Sequence, residues 1–92
     1  SWSLMEAMAS GCCIVASDTP PVKEMITSGI EGQLVDFFDP DALAQQVDHL
    51  LQSHEQRQKL GHSARQRILQ DSYDLHSTLK QQVQLLNKVI RD

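Results

Sequence analysis

The feature that most constrains the fold is a short, uninterrupted apolar run, Cys12–Ala16, that directly follows a helical pattern. Within Ser3–Ser10, the residues Leu4, Ala7 and Met8 recur at helical spacing, and the glycine that follows is a common helix stop. The apolar run is too short for a helix, and a continuous apolar segment of this length is typical of a buried strand. The chain is therefore predicted to pass from a short helix into a strand.

The remaining chain alternates between the two kinds of element. The predicted elements are a loop at Ser17–Pro21, one or two helical turns at Val22–Thr27, a strand at Gly32–Val35, and helices from Pro40 to Leu51, Glu55 to Gln70 and Leu75 to Ile90. Asp39 is expected to cap the first of these helices, because its side chain can accept from the free N–H groups beside Pro40. Asp71–Asp74 is expected to break the chain between the last two. Gly61 is expected to weaken its helix by about 1 kcal/mol relative to Ala.

This order predicts an α/β fold, namely the terminal part of a parallel sheet with two short strands, followed by three helices. Two strands make a poor sheet alone. The 92-residue chain also opens without a methionine, inside an apolar pattern. We therefore expect an excised fragment of a longer protein whose upstream part supplies further strands.

The composition argues against several classes of function. The formal net charge is −4 and aromatic residues make up 4% of the chain, so no basic stripe or stacking platform for nucleic acid is expected. No apolar run approaches the length of a transmembrane helix. The four histidines lack the spacing of metal ligands, and no nucleophile or phosphate-loop motif is present, so we predict neither a metal nor a cofactor.

The two cysteines, Cys12 and Cys13, are adjacent in sequence. Neighbouring residues of a strand point to opposite faces, so these two thiols are not expected to form a disulfide. We interpret both as reduced core residues of a cytoplasmic protein.

Five ordered blocks of the chain are similar to one known family. Leu4–Asp18 (LMEAMASGCCIVASD) resembles the family pattern LLEAMASGxPVVASD, and Val22–Ile26 (VKEMI) resembles VPEII. Ser28–Val35 (SGIEGQLV), Asp39–Ala44 (DPDALA) and Leu60–Arg65 (LGHSAR) resemble DGxNGLLV, DPEALA and LGEAAR. These patterns are those of the C-terminal donor-binding domain of retaining GT-B glycosyltransferases, the group 1 or family 4 enzymes.

The resemblance implies a Rossmann-like domain in which 1–38 forms the α/β portion of a nucleotide-sugar site and 39–92 forms a helical portion. The parent protein would transfer a sugar from a nucleoside-diphosphate sugar to an acceptor, with retention. Glu6 matches the second of two family glutamates, the one that usually contacts the ribose hydroxyls. The first glutamate falls upstream of Ser1, so no catalytic residue is assigned and the fragment alone is expected to be inactive.

The helix start, residues Ser1, Trp2, Ser3 and Leu4, is expected to bind the diphosphate, because the free N–H groups and the dipole of a helix N-terminus attract anions. Two other interpretations of these residues stay open. Ser3 and Glu6 also have the spacing of a capping box. Trp2 suits a hydrophobic staple or the core.

Alternative functions are a non-catalytic nucleotide-sugar-binding homologue and a helical interaction module. In relatives the final helix crosses onto the N-terminal domain, so this chain alone is expected to expose an apolar row along that helix and to self-associate. The row consists of Leu75, Leu79, Val83, Leu86 and Ile90. The expected location is the cytoplasm, with a parent that lies peripherally at the inner face of a membrane.

Overall fold

A computed structural model describes residues 2–91. The elements are α1 (Trp2–Ala9), β1 (Val15–Ser17), α2 (Pro20–Lys23), β2 (Gln33–Val35), α3 (Pro40–Gln52) and α4 (His54–Arg91). Helices alternate with two parallel strands, which confirms the predicted α/β class. The C-terminal region contains two helices where three are predicted.

The two strands form a parallel sheet in which Ala16 lies beside Leu34. Pairing extends past the strand ends, since Gln33 donates its N–H to the carbonyl of Ile14 at 2.9 Å. A Cβ at Gly32 would lie 2.9 Å from that same carbonyl oxygen, so only glycine permits this close approach. The two short strands therefore lie close together, and their hydrogen bonding continues into Ile14, the residue before β1.

The turn between α1 and β1 is a Schellman motif. Gly11 has a φ of +74° and donates its N–H to the carbonyl of Met8 at 3.0 Å, while Cys12 donates to that of Ala7 at 3.1 Å. Because this motif uses the backbone of Cys12, the strand begins at Val15 and not at Cys12 as predicted. The turn therefore ends α1 and leads the chain into β1.

The core is built around Met8, Ile14, Ile26 and Ala64, which the neighbouring half-buried side chains surround. The predicted core position of both cysteines is partly wrong. Cys12 is exposed and Cys13 is half-buried, and both thiols are free. They lie in the turn before the strand, where the backbone is not covered on both faces.

Helix α4 runs without interruption through Asp71–Asp74, so the predicted break there is wrong. The residues expected to act as caps bond instead to the preceding turn. Asp71 accepts from Arg67 at 3.2 Å, and Asp74 accepts from Gln70 at 3.0 Å. Side-chain pairs four residues apart support a helix and remove the reason to end it.

At about 1.5 Å per residue, the 38 residues of α4 extend about 57 Å. This length accounts for most of the 63 Å long axis of the molecule. The N-terminal half of α4 packs on α1, with Leu60 and Ala64 buried. Beyond Leu75 the large apolar side chains are exposed. Among the described residues, no helix is both long and apolar enough to span a bilayer.

Candidate functional site

Exposed polar residues follow both strands at the carboxyl edge of the parallel sheet. Asp18 and Thr19 follow β1, and Asp36 follows β2. In open α/β sheets, ligands bind in the crevice beyond the carboxyl ends of the strands. The predicted site residues 2–4 and Glu6 belong to the element that precedes β1.

Glu6 is exposed on α1, one turn inside the helix. Its backbone carbonyl accepts the N–H of Ser10 at 3.0 Å and the hydroxyl of Ser10 at 2.8 Å. Its carboxylate forms no hydrogen bond to any side chain that the structure describes. Ser3 is itself helical, because α1 begins at Trp2, so Ser3 cannot be the N-cap of a capping box with Glu6. That alternative is wrong, and the Glu6 carboxylate faces solvent.

The other residues of the predicted anion site differ in what they offer. Ser1 lies outside the described residues, and Trp2 is the first residue of α1. Leu4 packs against the core cluster, so it contributes backbone rather than side chain to the edge. The first turn of α1 contains no acidic residue. The partial positive charge of that turn is therefore not neutralised within the helix.

The loop after β1 leads directly into α2. Thr19 is extended, with φ −79° and ψ 154°, and Pro20 follows as the first helical residue. Thr19 makes no side-chain capping bond, while its carbonyl accepts the N–H of Lys23 at 3.0 Å. Asp18 donates its N–H to the carbonyl of Val35 at 3.2 Å. The backbone makes the turn, and the side chains of Asp18 and Thr19 stay exposed at the edge.

An ion pair between buried Glu31 and partly exposed Arg67 links this α/β unit to α4, and local sequence patterns contain no signal for it beyond isolated charges. Glu31 is 6% exposed and accepts from Arg67 at 2.9 Å and from the N–H of Thr27 at 3.0 Å. Arg67 also donates to the carbonyl of Glu24 at 3.1 Å. The hydrogen bond to Glu31 raises the pKa of Arg67. This arginine fixes the segment between α2 and β2 from one position on α4.

A second arginine closes the C-terminal end of α3. Arg57 donates to the carbonyls of Leu50 and Leu51 at 2.6 and 2.7 Å, which satisfies two groups that a helix end leaves free. Burial raises the pKa of the Cys13 thiol. The nearby guanidinium of Arg57 lowers this pKa by a smaller amount, so the net shift is upward. The raised pKa makes this thiol a poor nucleophile near neutral pH.

Within the described part of the chain, no three His, Cys, Asp or Glu side chains gather as metal ligands. The polar groups that the candidate residues offer are instead exposed carboxylates, which accept hydrogen bonds, and the start of α1, which attracts an anion. This arrangement suits hydrogen bonding to hydroxyls and to an anion.

Comparison with known proteins decides the family. The model of "Glycosyl transferases group 1" matches residues 1–67. The chain belongs to this family. The match includes α1, both strands, α3 and the first part of α4, so the family region contains the whole carboxyl edge described above.

Two relatives of this group 1 glycosyltransferase chain are informative. The alpha-maltose-1-phosphate synthase of Mycobacterium tuberculosis (strain H37Rv) is 36% identical over 73 residues, covering 73% of this chain and 19% of the relative. Spore coat protein SA of Bacillus subtilis is 38% identical over 61 residues, covering 65% of this chain and 16% of the relative. The chain thus spans about a fifth or less of the relatives that it matches.

Proposed function

We propose that this chain forms part of the donor site of a glycosyltransferase that transfers a sugar from a nucleoside-diphosphate sugar, with retention. The observation that carries the proposal is the exposed carboxylate of Glu6, one turn inside the helix that precedes β1. The diphosphate binds the free N–H groups at the start of α1, and the carboxylate accepts the ribose hydroxyls. In this proposal 1–38 contributes the site and 39–92 supports it.

The chemistry available to this chain is binding and positioning. The unneutralised first turn of α1 stabilises the charge of the departing diphosphate. Glu6 fixes the ribose, which orients the donor toward an acceptor held elsewhere. We expect no turnover from the chain alone, because it spans a fifth or less of the relatives that it matches. A non-catalytic nucleotide-sugar-binding protein remains the alternative.

The test is a titration of the chain with UDP-glucose and ADP-glucose, followed by NMR of the backbone amides. Glucose nucleotides come first because the mycobacterial relative is named for maltose 1-phosphate, a glucose disaccharide. Glu6→Gln is expected to weaken binding by about 1–3 kcal/mol, the range for a charge-assisted hydrogen bond. Glu24→Gln is the matched control, since it removes the same charge from an exposed position.

The thermal stability of Glu6→Gln should be unchanged, because the carboxylate makes no bond to the described side chains. An equal loss of nucleotide affinity in Glu6→Gln and Glu24→Gln would show that the loss comes from the change in net charge. That result would contradict the proposed ribose contact. Unchanged nucleotide affinity in Glu6→Gln would contradict it as well.

We also propose that the chain self-associates in solution through the projecting half of α4. The supporting observation is an apolar row that stays more than half exposed, from Leu75 to Ile90. This surface favours the interaction-module alternative as a second role for the same chain. The cytoplasm stays the proposed location of the chain.

A further inference from the structure

The donor contacts proposed above, at the start of α1 and at Glu6, do not use a groove between β2 and α3, although its residue Asp36 also lies within 1–38. Its volume is about 450 Å³, within the range of small-molecule sites. Asp36, Gln45, Gln46 and His49 supply its polar groups, and β2 supplies an apolar wall. Donor binding is assigned to α1, on a different element, so this groove requires its own explanation.

The polar lining selects a class of ligand. Among the residues that the structure describes, neither lysine nor arginine lines the groove, so a phosphate or another anion finds no counter-charge from them. The amides of Gln45 and Gln46 both donate and accept, the imidazole of His49 does so when neutral, and the carboxylate of Asp36 accepts. Hydroxyl groups also donate and accept, so a neutral polyhydroxyl compound matches this lining.

An exposed aromatic residue, Phe38, follows the groove residue Asp36 by two positions in a hydrogen-bonded turn. The N–H of Phe38 donates to the carboxylate of Asp36 at 2.9 Å, and the N–H of Asp39 donates to the carbonyl of Asp36 at 3.0 Å. Asp39 in turn caps α3 through the N–H of Ala42 at 3.1 Å. Phe38 is 96% exposed, so this rigid turn holds a complete aromatic face in water beside a groove residue.

We propose that the β2–α3 groove and Phe38 form a binding site for a neutral oligosaccharide. A pyranose has an apolar C–H face that packs on an aromatic ring and hydroxyls that bond to amides and carboxylates. The site would hold a glycan chain on the protein, apart from the nucleotide. The choice of a glycan rests on the proposed glycosyl transfer, whereas the groove and the exposed ring are independent observations.

The experiment is an NMR titration of the whole 92-residue chain with maltoheptaose, and in parallel with cellohexaose. We expect at least one of them to shift the side-chain amides of Gln45 and Gln46 and the ring of Phe38. Phe38→Ala should weaken binding at least about fivefold, because the stacking face is lost. Phe38→Tyr keeps that face and should retain the affinity. Thermal unfolding should not change in either variant, since the ring is exposed.

Two results would overturn the proposal. One is the absence of shifts in the groove with both oligosaccharides up to their solubility limits. The other is unchanged affinity in Phe38→Ala. A parallel titration with UDP-glucose, observed at Glu6, separates this site from the donor site. Sugar binding without nucleotide binding would contradict the proposed donor function alone, and nucleotide binding without sugar binding would contradict the groove alone.

Discussion

Gly61 on α4 is in direct backbone contact with Gly11, the left-handed residue that ends α1. A Cβ on Gly61 would overlap the carbonyl oxygen of Gly11 and lie 3.1 Å from its carbonyl carbon. The position predicted as a weak point of the helix is therefore the point at which α4 approaches the α1–β1 turn most closely. Next to it, the side chain of Arg65 donates to the carbonyl of Ala9, which further fixes this crossing.

The first prediction concerns this contact. Gly61→Ala should destabilise the fold by about 1–2 kcal/mol, because overpacking against backbone atoms costs about 2–3 kcal/mol and the gain in helix propensity is about 1 kcal/mol. The free energy of unfolding from urea titration measures the effect. Ser63→Ala, on the same helix, is the control and should change it by less than about 1 kcal/mol. A more stable Gly61→Ala variant would contradict the observed contact.

The second prediction concerns the ion pair of Glu31 and Arg67. Arg67→Met removes the partner of a carboxylate that is 6% exposed and should cost about 2–4 kcal/mol of unfolding free energy. The double variant Glu31→Gln with Arg67→Met should lose less than the sum of the single variants, since both delete one interaction.

Asp71→Asn is the control for that cycle. Asp71 also pairs with Arg67, but its side chain is 57% exposed, so the expected loss is below about 1 kcal/mol. Strictly additive effects of Glu31→Gln and Arg67→Met would show that the pair does not couple.

The sequence predicted local features well because their signals are local. Asp39 before Pro40 predicts a capped helix, and Asp39 does cap α3. Gly11 predicts a helix end, and it adopts the expected left-handed conformation. The alternation of helices with two short apolar runs predicts the parallel α/β class, which the pairing confirms.

Long-range contacts could not be read from local spacing. Arg67 and Glu31 lie 36 positions apart, and Gly61 and Gly11 lie 50 apart, so nothing near either residue reports the other. The predicted break at Asp71–Asp74 failed because polar residues that favour caps also form pairs four residues apart inside a helix. Of the predicted site residues, Ser1 lies outside the described residues, and ligand contacts of Glu6 stay a prediction.

The third prediction concerns the two free thiols. Cys12 is exposed, whereas burial raises the pKa of Cys13 above the ordinary thiol value. Near a pH of about 8, iodoacetamide should alkylate Cys12 well before Cys13, because the thiolate is the reactive form. Mass spectrometry of the chain and of the variants Cys12→Ser and Cys13→Ser measures both rates. Faster alkylation at Cys13 would contradict its assigned environment.

The raised pKa of Cys13 also predicts how the free energy of unfolding depends on pH. The stabilising effect of a buried neutral thiol is complete below the ordinary thiol pKa and is lost as the pH rises through the higher folded value. Unfolding free energy should therefore fall at alkaline pH more in Cys12→Ser than in the double variant Cys12→Ser with Cys13→Ala. Parallel pH profiles for the two variants would contradict this linkage.

The last prediction concerns the projecting half of α4. Leu79 and Leu86 lie in the exposed apolar row, and covering such a side chain fully is worth about 1.5–3 kcal/mol. The whole row thus supplies the roughly 8 kcal/mol that a dimer with micromolar affinity requires. Sedimentation velocity should therefore detect a species heavier than 10.3 kDa. The double variant Leu79→Glu with Leu86→Glu should abolish this heavier species.

Leu85→Glu is the control, because Leu85 is equally exposed but lies off the row. A mass of 10.3 kDa at high protein concentration, or equal disruption by Leu85→Glu, would contradict association through this face.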